Sequence, residues 1–163
     1  MRGFVWHVQS DGSLLEWVDS LEANLACIHI GKAKKWHSEE HARLMRPVVG
    51  ALPKAVVQAG LLMGPAWDDL VAAKRAYEQA WAAYGAAGRA VKAGRLDTAS
   101  WAQMGEEYDT AAKAFAKAKR AYSEQWYRVQ TAVTRNKQAI EELHRKECPN
   151  CPWDGKTIFP KGE

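Results

Sequence analysis

The chain has 163 residues, of which 47% are hydrophobic and 26% charged, proportions typical of one folded globular domain. This balance excludes a wholly disordered chain and a rod without a core. The formal net charge of +4 is ordinary for a soluble protein. The sequence contains no apolar run of about 18 residues and no signal peptide, so we expect a cytoplasmic protein without membrane segments.

The N-terminal part of the chain is expected to form a short strand followed by several short helices. Residues 4–8 are β-prone and end near a turn signal at Gly12. Ser13 can cap a first helix that runs to about Cys27, because apolar residues recur there at helical spacing. Residues 38–63 are interrupted by prolines and predict two or three further short helices.

The clearest pattern predicts a long antiparallel helical hairpin. One helix is expected from Pro65 to about Ala93, and a second from about Ala99 to Lys146. The short connection at residues 94–97 permits only an antiparallel neighbour. Alanines in the companion seam would let large rings lie over small side chains. Large side chains recur every seven residues along the second helix, as in a coiled coil: Trp101, Tyr108, Phe115, Tyr122, Val129 and Leu143.

The second helix is predicted to be longer than its partner, spanning roughly 70 Å at about 1.5 Å per residue. Its surplus apolar surface needs a cover, which the N-terminal helices would supply as a small bundle at one end; a second copy of the chain is the alternative. The sequence therefore predicts a mainly α, single-domain protein over residues 1–163. Its parts are short N-terminal helices (1–63), the hairpin (65–146), and a cysteine turn with a tail (147–163).

The sharpest local motif is Cys148-Pro149-Asn150-Cys151. Two cysteines at this spacing form a tight turn, or knuckle, that can direct both thiolates at one metal ion. The turn resembles half of a zinc ribbon, and that resemblance implies a structural zinc ion. Cysteines that are merely reduced, or a redox-active pair, remain alternatives.

A structural zinc ion needs four ligands, so two more must come from elsewhere in the chain. His37 and His41 are four residues apart and are our leading candidates. Together with the knuckle they resemble the zinc constellation of retroviral integrase N-terminal domains; the resemblance covers only those four residues and implies no integrase activity. His7 is expected to be an ordinary surface or strand histidine. Three residues are kept as alternative ligands: Cys27, His29 and His144.

His37, Glu40 and His41 also match His-x-x-Glu-His, the inverted zinc-protease motif. In that motif the two histidines bind zinc and the glutamate acts as a general base. A zinc metallohydrolase is therefore one alternative function. The competing interpretation is a polar helix start whose histidines face solvent.

Residues 32–54 carry six basic and two acidic residues, which makes this the one strongly basic segment. Its cations and aromatic ring suit contact with phosphates and bases, so a nucleic-acid-binding regulator or packaging protein is a second alternative. A solvated loop would give the same pattern. The candidate contacts are Lys32, Lys34, Lys35, Trp36, Arg43 and Arg46.

No nucleophile, base and orienting residue can be placed together from the sequence, and no cofactor fingerprint occurs. Our leading expectation is therefore a non-catalytic accessory or adaptor protein that binds a protein or nucleoprotein partner through its helical surface. The composition, rich in alanine, tryptophan and arginine, is typical of GC-rich genomes and agrees with a phage-encoded protein in a bacterial host. Self-association through the hairpin is a further expectation.

Overall fold

The computed structural model describes residues 1–7, 13–31 and 42–156, with residues 27–31 described as backbone only. The mainly helical fold class and the long helical hairpin are confirmed. In the described part of the chain, none of the helices combines the length and apolar character needed to cross a membrane. The elements, in chain order, are β1 (Gly3–Trp6), β2 (Leu15–Val18), α1 (Leu21–Gly31), β3 (Arg46–Pro47), α2 (Lys54–Leu61), α3 (Met63–Lys92), α4 (Thr98–Arg135) and α5 (Lys137–Glu147).

Two compact units can be distinguished from the packing. The terminal unit comprises Met1–Gly64 and Tyr127–Glu163, and the hairpin unit comprises Pro65–Trp126. Each is described separately below. The expectation of a single domain stays a prediction.

The terminal unit contains a three-stranded antiparallel sheet with strand order β2-β1-β3. In the central strand β1, Trp6 pairs with Leu15 of β2 and with Arg46 of β3. Pro47 lies in the edge strand β3, where its missing N–H is tolerated. The sequence predicted one short strand here, and the sheet was missed.

The two faces of this sheet are buried in different hydrophobic clusters, because successive side chains of a strand point to opposite sides. Val5 and Val18 lie on one face with Met45, against the residues of α1. Trp6 and Leu15 lie on the other face and are fully buried. Their cluster consists of six buried residues from both ends of the chain: Trp6, Leu14, Leu15, Val56, Ile140 and Cys148.

The predicted helix beginning at Ser13 is wrong over its first half. Residues 15–18 form strand β2, and the helix begins only at Leu21. The run Leu14 to Val18 has apolar residues that satisfy both a helical and an alternating pattern, and pairing with β1 decides between them. The predicted covering of the second long helix by N-terminal residues is present, since Val133 and Leu143 pack on the cluster around Trp6.

The hairpin unit is held together by aromatic rings from α3 and α4. Trp67, near the start of α3, contacts Tyr122 of α4, whereas Tyr84, later in α3, contacts Trp101 near the start of α4. Residue numbers thus fall along α4 as they rise along α3, which is the antiparallel arrangement expected. Some of these ring pairs are stacked and others are tilted. The expectation that rings lie over alanines stays a prediction. A glycine permits one close approach: a Cβ at Gly88 would lie 3.4 Å from Nε1 of Trp101.

Two details of the hairpin helices follow from single residues. Gly94 has a φ of +66°, the left-handed conformation that commonly ends a helix, as predicted. The predicted continuous helix to Lys146 is interrupted at Asn136, which separates α4 from α5. The Asn136 side chain donates a 2.8 Å hydrogen bond to the carbonyl of Ala132, and such bonds compete with the helical backbone pattern.

Candidate metal centre

Three metal-ligating side chains meet inside the terminal unit. His7 directly follows β1, His144 lies on the last turns of α5, and Cys151 lies in the turn after that helix. Their ligand atoms all lie within 4.8 Å of one another. The Nε2 atoms of His7 and His144 are 2.8 Å apart, and the Cys151 Sγ lies 3.1 Å from the His7 Nε2.

These distances fit a metal ion after a small expansion of the site. With Zn–N bonds of about 2.0–2.1 Å and Zn–S bonds of about 2.3 Å, the donor atoms of a tetrahedral site lie roughly 3.3–3.8 Å apart. The two distances from the His7 Nε2 are about half an ångström shorter than that. The three residues therefore form a His/Cys group that can hold a metal ion.

His7 reaches the site through an unusual backbone conformation. Its φ is +58°, and among the described residues other than glycine it alone has a positive φ. This conformation costs free energy and is found preferentially at functional sites. The side chain is fully buried, so the prediction of an ordinary surface or strand histidine is wrong. No local sequence pattern links His7 to its partner, because His144 is 137 residues away.

His144 and the cysteine turn are placed by the end of α5. Ile140 and His144 are four residues apart, so both side chains face the core, and both are buried. The helix ends with a 2.7 Å bond from the Cys148 N–H to the His144 carbonyl. The Cys151 N–H then donates to the Cys148 carbonyl at 3.1 Å, which makes the tight turn expected from the spacing of the cysteines.

Glu147 connects this turn to the sheet and to the following loop. Its carboxylate accepts a 2.9 Å hydrogen bond from the indole Nε1 of Trp6 and further bonds from the N–H groups of Val49 and Gly50. Burial alone would raise the pKa of Glu147, but these hydrogen bonds and the Arg46 guanidinium lower it below its ordinary value. Glu147 therefore stays ionised and fixes the end of α5 beside the residue that precedes His7.

Burial also controls the protonation of two candidate ligands. Burial, with the nearby Arg46 cation, lowers the pKa of His144, which favours the neutral imidazole that binds metals. Burial raises the pKa of the Cys151 thiol, and the neighbouring Cys148 adds to this effect. A metal cation would offset the cost of holding a thiolate there.

Only part of the predicted ligand set can be located. His37 and His41, the leading histidine candidates, lie outside the described residues, as does Glu40 of the hydrolase motif. The side chains of the alternatives Cys27 and His29 are likewise outside the described part. The third alternative, His144, lies beside Cys151 of the knuckle and beside the unpredicted His7.

The predicted nucleic-acid contacts are also only partly described. Lys32, Lys34, Lys35 and Trp36 fall outside the described residues, whereas Arg43 is exposed. Arg46 is used within the terminal unit: its Nε donates to the Cys148 Sγ at 3.1 Å, and its Nη2 donates to the Glu147 carbonyl. Arg46 is thus committed to the cysteine turn.

An open cavity of about 540 Å³ adjoins the cysteine turn. Its lining residues come from α5 and the turn that follows: Glu141, His144, Arg145, Cys148, Pro149, Cys151, Trp153 and Gly155.

No protein-family model matches the chain, and neither curated proteins nor solved structures gave a match. Fold and site together define a mainly helical protein with a helical hairpin and a His/Cys group able to hold a metal ion.

Proposed function

We propose that this chain is a non-catalytic accessory protein in which a zinc ion bound by His7, His144 and Cys151 stabilises the terminal unit. The observation that carries the proposal is the convergence of three donor atoms within 4.8 Å. Imidazole nitrogen and thiolate sulfur are donors that zinc prefers in proteins. The left-handed φ of +58° at His7 supports the same interpretation, since such conformations are retained where function requires them.

The ion would join two ends of the chain that are far apart in sequence. His7 follows β1, whereas His144 and Cys151 lie 137 and 144 residues later. Metal that binds only the folded chain adds its binding free energy to the stability of the fold. Zinc would therefore stabilise the packing of α5 against the sheet.

The second part of the proposal is that the hairpin unit contacts a protein or nucleoprotein partner. Trp81 supports it, because 58% of this large side chain is exposed and its ring contacts Tyr108 at a centroid distance of 5.6 Å. Tryptophan is enriched among the residues that dominate protein interfaces. An exposed ring that a rigid helix holds in place is suited to such a contact.

Elemental analysis of the purified full-length protein tests the metal part of the proposal. We expect one zinc ion per chain, and we expect the His144→Ala and Cys151→Ala variants to lose it. His37→Ala and His41→Ala serve as matched controls and should keep the ion. Zinc retained by His144→Ala but lost from the controls would overturn the ligand set in favour of the pair predicted from sequence.

Site-specific photocrosslinking tests the partner contact. A photoreactive amino acid at position 81 should give one predominant crosslinked protein in cells of the source organism. The same group at Lys113, an exposed position on α4, is the control. Identical products at both positions would contradict a specific contact through Trp81. Light scattering on the pure protein separates self-association, which would give a multiple of the chain mass, from binding to another protein.

A further inference from the structure

Three donor residues leave one ligand position of a tetrahedral zinc site unfilled, and Cys148 lies close in the sequence to two of them. It is 5% exposed and lies four residues after His144 and three before Cys151. It is not among the donor atoms that lie within 4.8 Å of one another. We infer that Cys148 supplies the fourth ligand and closes a tetrahedral His2Cys2 zinc centre, with Arg46 as hydrogen-bond donor to its sulfur; this inference rests on the metal site proposed above.

The placement of Cys148 makes this closure a local change. His144, Cys148 and Cys151 line the same cavity, so all three residues border one open space. Cys148 and Cys151 are also joined by the backbone hydrogen bond of the tight turn, 3.1 Å long. Rotation about the first side-chain torsion moves a cysteine sulfur by about 3 Å between staggered positions. The inferred closure is a rotation of this kind at Cys148.

The surroundings of Cys148 suit a thiolate ligand better than a plain core thiol. Arg46 Nε donates to the Cys148 Sγ at 3.1 Å, which places a cation against a sulfur inside a hydrophobic cluster. Outer hydrogen bonds of this kind are the usual support of metal ligands. The same guanidinium also binds the Glu147 carbonyl. Arg46 is therefore held at the turn by a second bond that does not involve the sulfur.

Charge balance favours two thiolates over one. Two thiolates neutralise the charge of a divalent ion, whereas two imidazoles and a single thiolate leave a net positive centre. His7 and His144 are 0% and 3% exposed, and an uncompensated charge beside such buried groups is costly.

Closure by Cys148 would make the centre structural. A catalytic zinc site keeps an open position for water or substrate, whereas a structural site has four protein ligands. Glu141 is the competing fourth ligand or general base, because it lines the same cavity. Its carboxylate is paired with Lys137 at 3.6 Å, and this interaction competes with binding of the carboxylate to a metal ion.

Cobalt substitution of the full-length protein tests the inference. Tetrahedral Co²⁺ gives visible ligand-field bands, and each thiolate adds sulfur-to-cobalt charge-transfer absorption. We expect Cys148→Ser to lose about half of this absorption, as Cys151→Ser should, and to weaken zinc binding on the order of 100-fold. Glu141→Gln should leave both measurements unchanged. A Cys148→Ser spectrum equal to that of the wild type, or loss of metal in Glu141→Gln, would overturn the inference.

X-ray absorption at the zinc edge of the wild-type protein keeps the test independent of how the variants fold. Two sulfur and two nitrogen neighbours are expected, and one sulfur neighbour would refute the role of Cys148. Failure of the wild-type chain to bind zinc or cobalt would instead refute the proposed metal function itself. The two failures are thus distinguishable.

Discussion

Gly60 in α2 provides a quantitative test of the packing around β1. A Cβ atom at this position would lie 2.4 Å from Cε2 and 2.8 Å from Cζ of Phe4. Carbon atoms in contact normally stay about 3.5–4.0 Å apart, so the ring would have to move by about 1 Å. Phe4 packs against the core cluster around Trp6, which leaves the ring little room to move.

We therefore expect Gly60→Ala to destabilise the protein. Overpacking of a core typically costs about 1–3 kcal/mol, whereas replacing a helical glycine by alanine gains at most about 1 kcal/mol. With the full gain subtracted, the net loss should be at most about 2 kcal/mol. For a chain of this size that corresponds to a decrease in Tm of up to about 8 °C, measured by circular dichroism.

Gly85→Ala is the matched control, because it is the same substitution within α3. The nearest atom to a Cβ there is Nη1 of Arg89 at 3.7 Å, an ordinary contact. Only the gain in helix propensity remains, so this variant should be about 0.5–1 kcal/mol more stable than the wild type. The packing argument is refuted if Gly60→Ala is as stable as Gly85→Ala.

Three further predictions concern groups outside that contact. Glu147→Ala leaves the fully buried Trp6 indole without its acceptor and should cost about 1–3 kcal/mol in urea unfolding, whereas an unchanged midpoint would show that the hydrogen bond contributes nothing. Hydrogen bonds from the Ser100 N–H and hydroxyl lower the pKa of Asp97, so this carboxylate stabilises the fold above its ordinary pKa of 3.8 and loses that effect as the pH falls through the lowered value. Ser100→Ala removes the hydroxyl but keeps the N–H, so in a carboxyl-carbon NMR titration it should move the midpoint of Asp97 part of the way up toward 3.8, and an unmoved midpoint would show that the hydroxyl does not contribute to the shift. Chelation should lower the Tm of the wild type but not that of His144→Ala, and an equal decrease in both would mean that the chelator acts elsewhere.

The hairpin could be predicted from sequence because its information is local. The repeat that includes Trp101, Tyr108 and Phe115 extends over many turns, and Gly94 marks the turn unambiguously. The sheet could not be predicted in the same way. Strand β3 has two residues, and β2 lies in a run that also fits a helix, so both exist only through pairing with β1.

Only the C-terminal residues of the candidate metal site could be predicted from the sequence. The spacing of His144, Cys148 and Cys151 places all three at the end of one helix, and that spacing is visible in the sequence. His7 could not be found, because no local pattern links it to a residue 137 positions away. Its left-handed backbone is likewise imposed by tertiary structure, since histidine has only a weak preference for that region.

The sequence separation of His7 and His144 also determines how long β1 exists during synthesis before α5 is made. At about 5–20 residues per second, a ribosome needs roughly 7 to 30 seconds to add the 137 residues between them. During that interval β1 has emerged without the helix that later buries Trp6. The N-terminal strand must therefore wait, with an apolar side chain uncovered, until the helix that carries His144 has been synthesised.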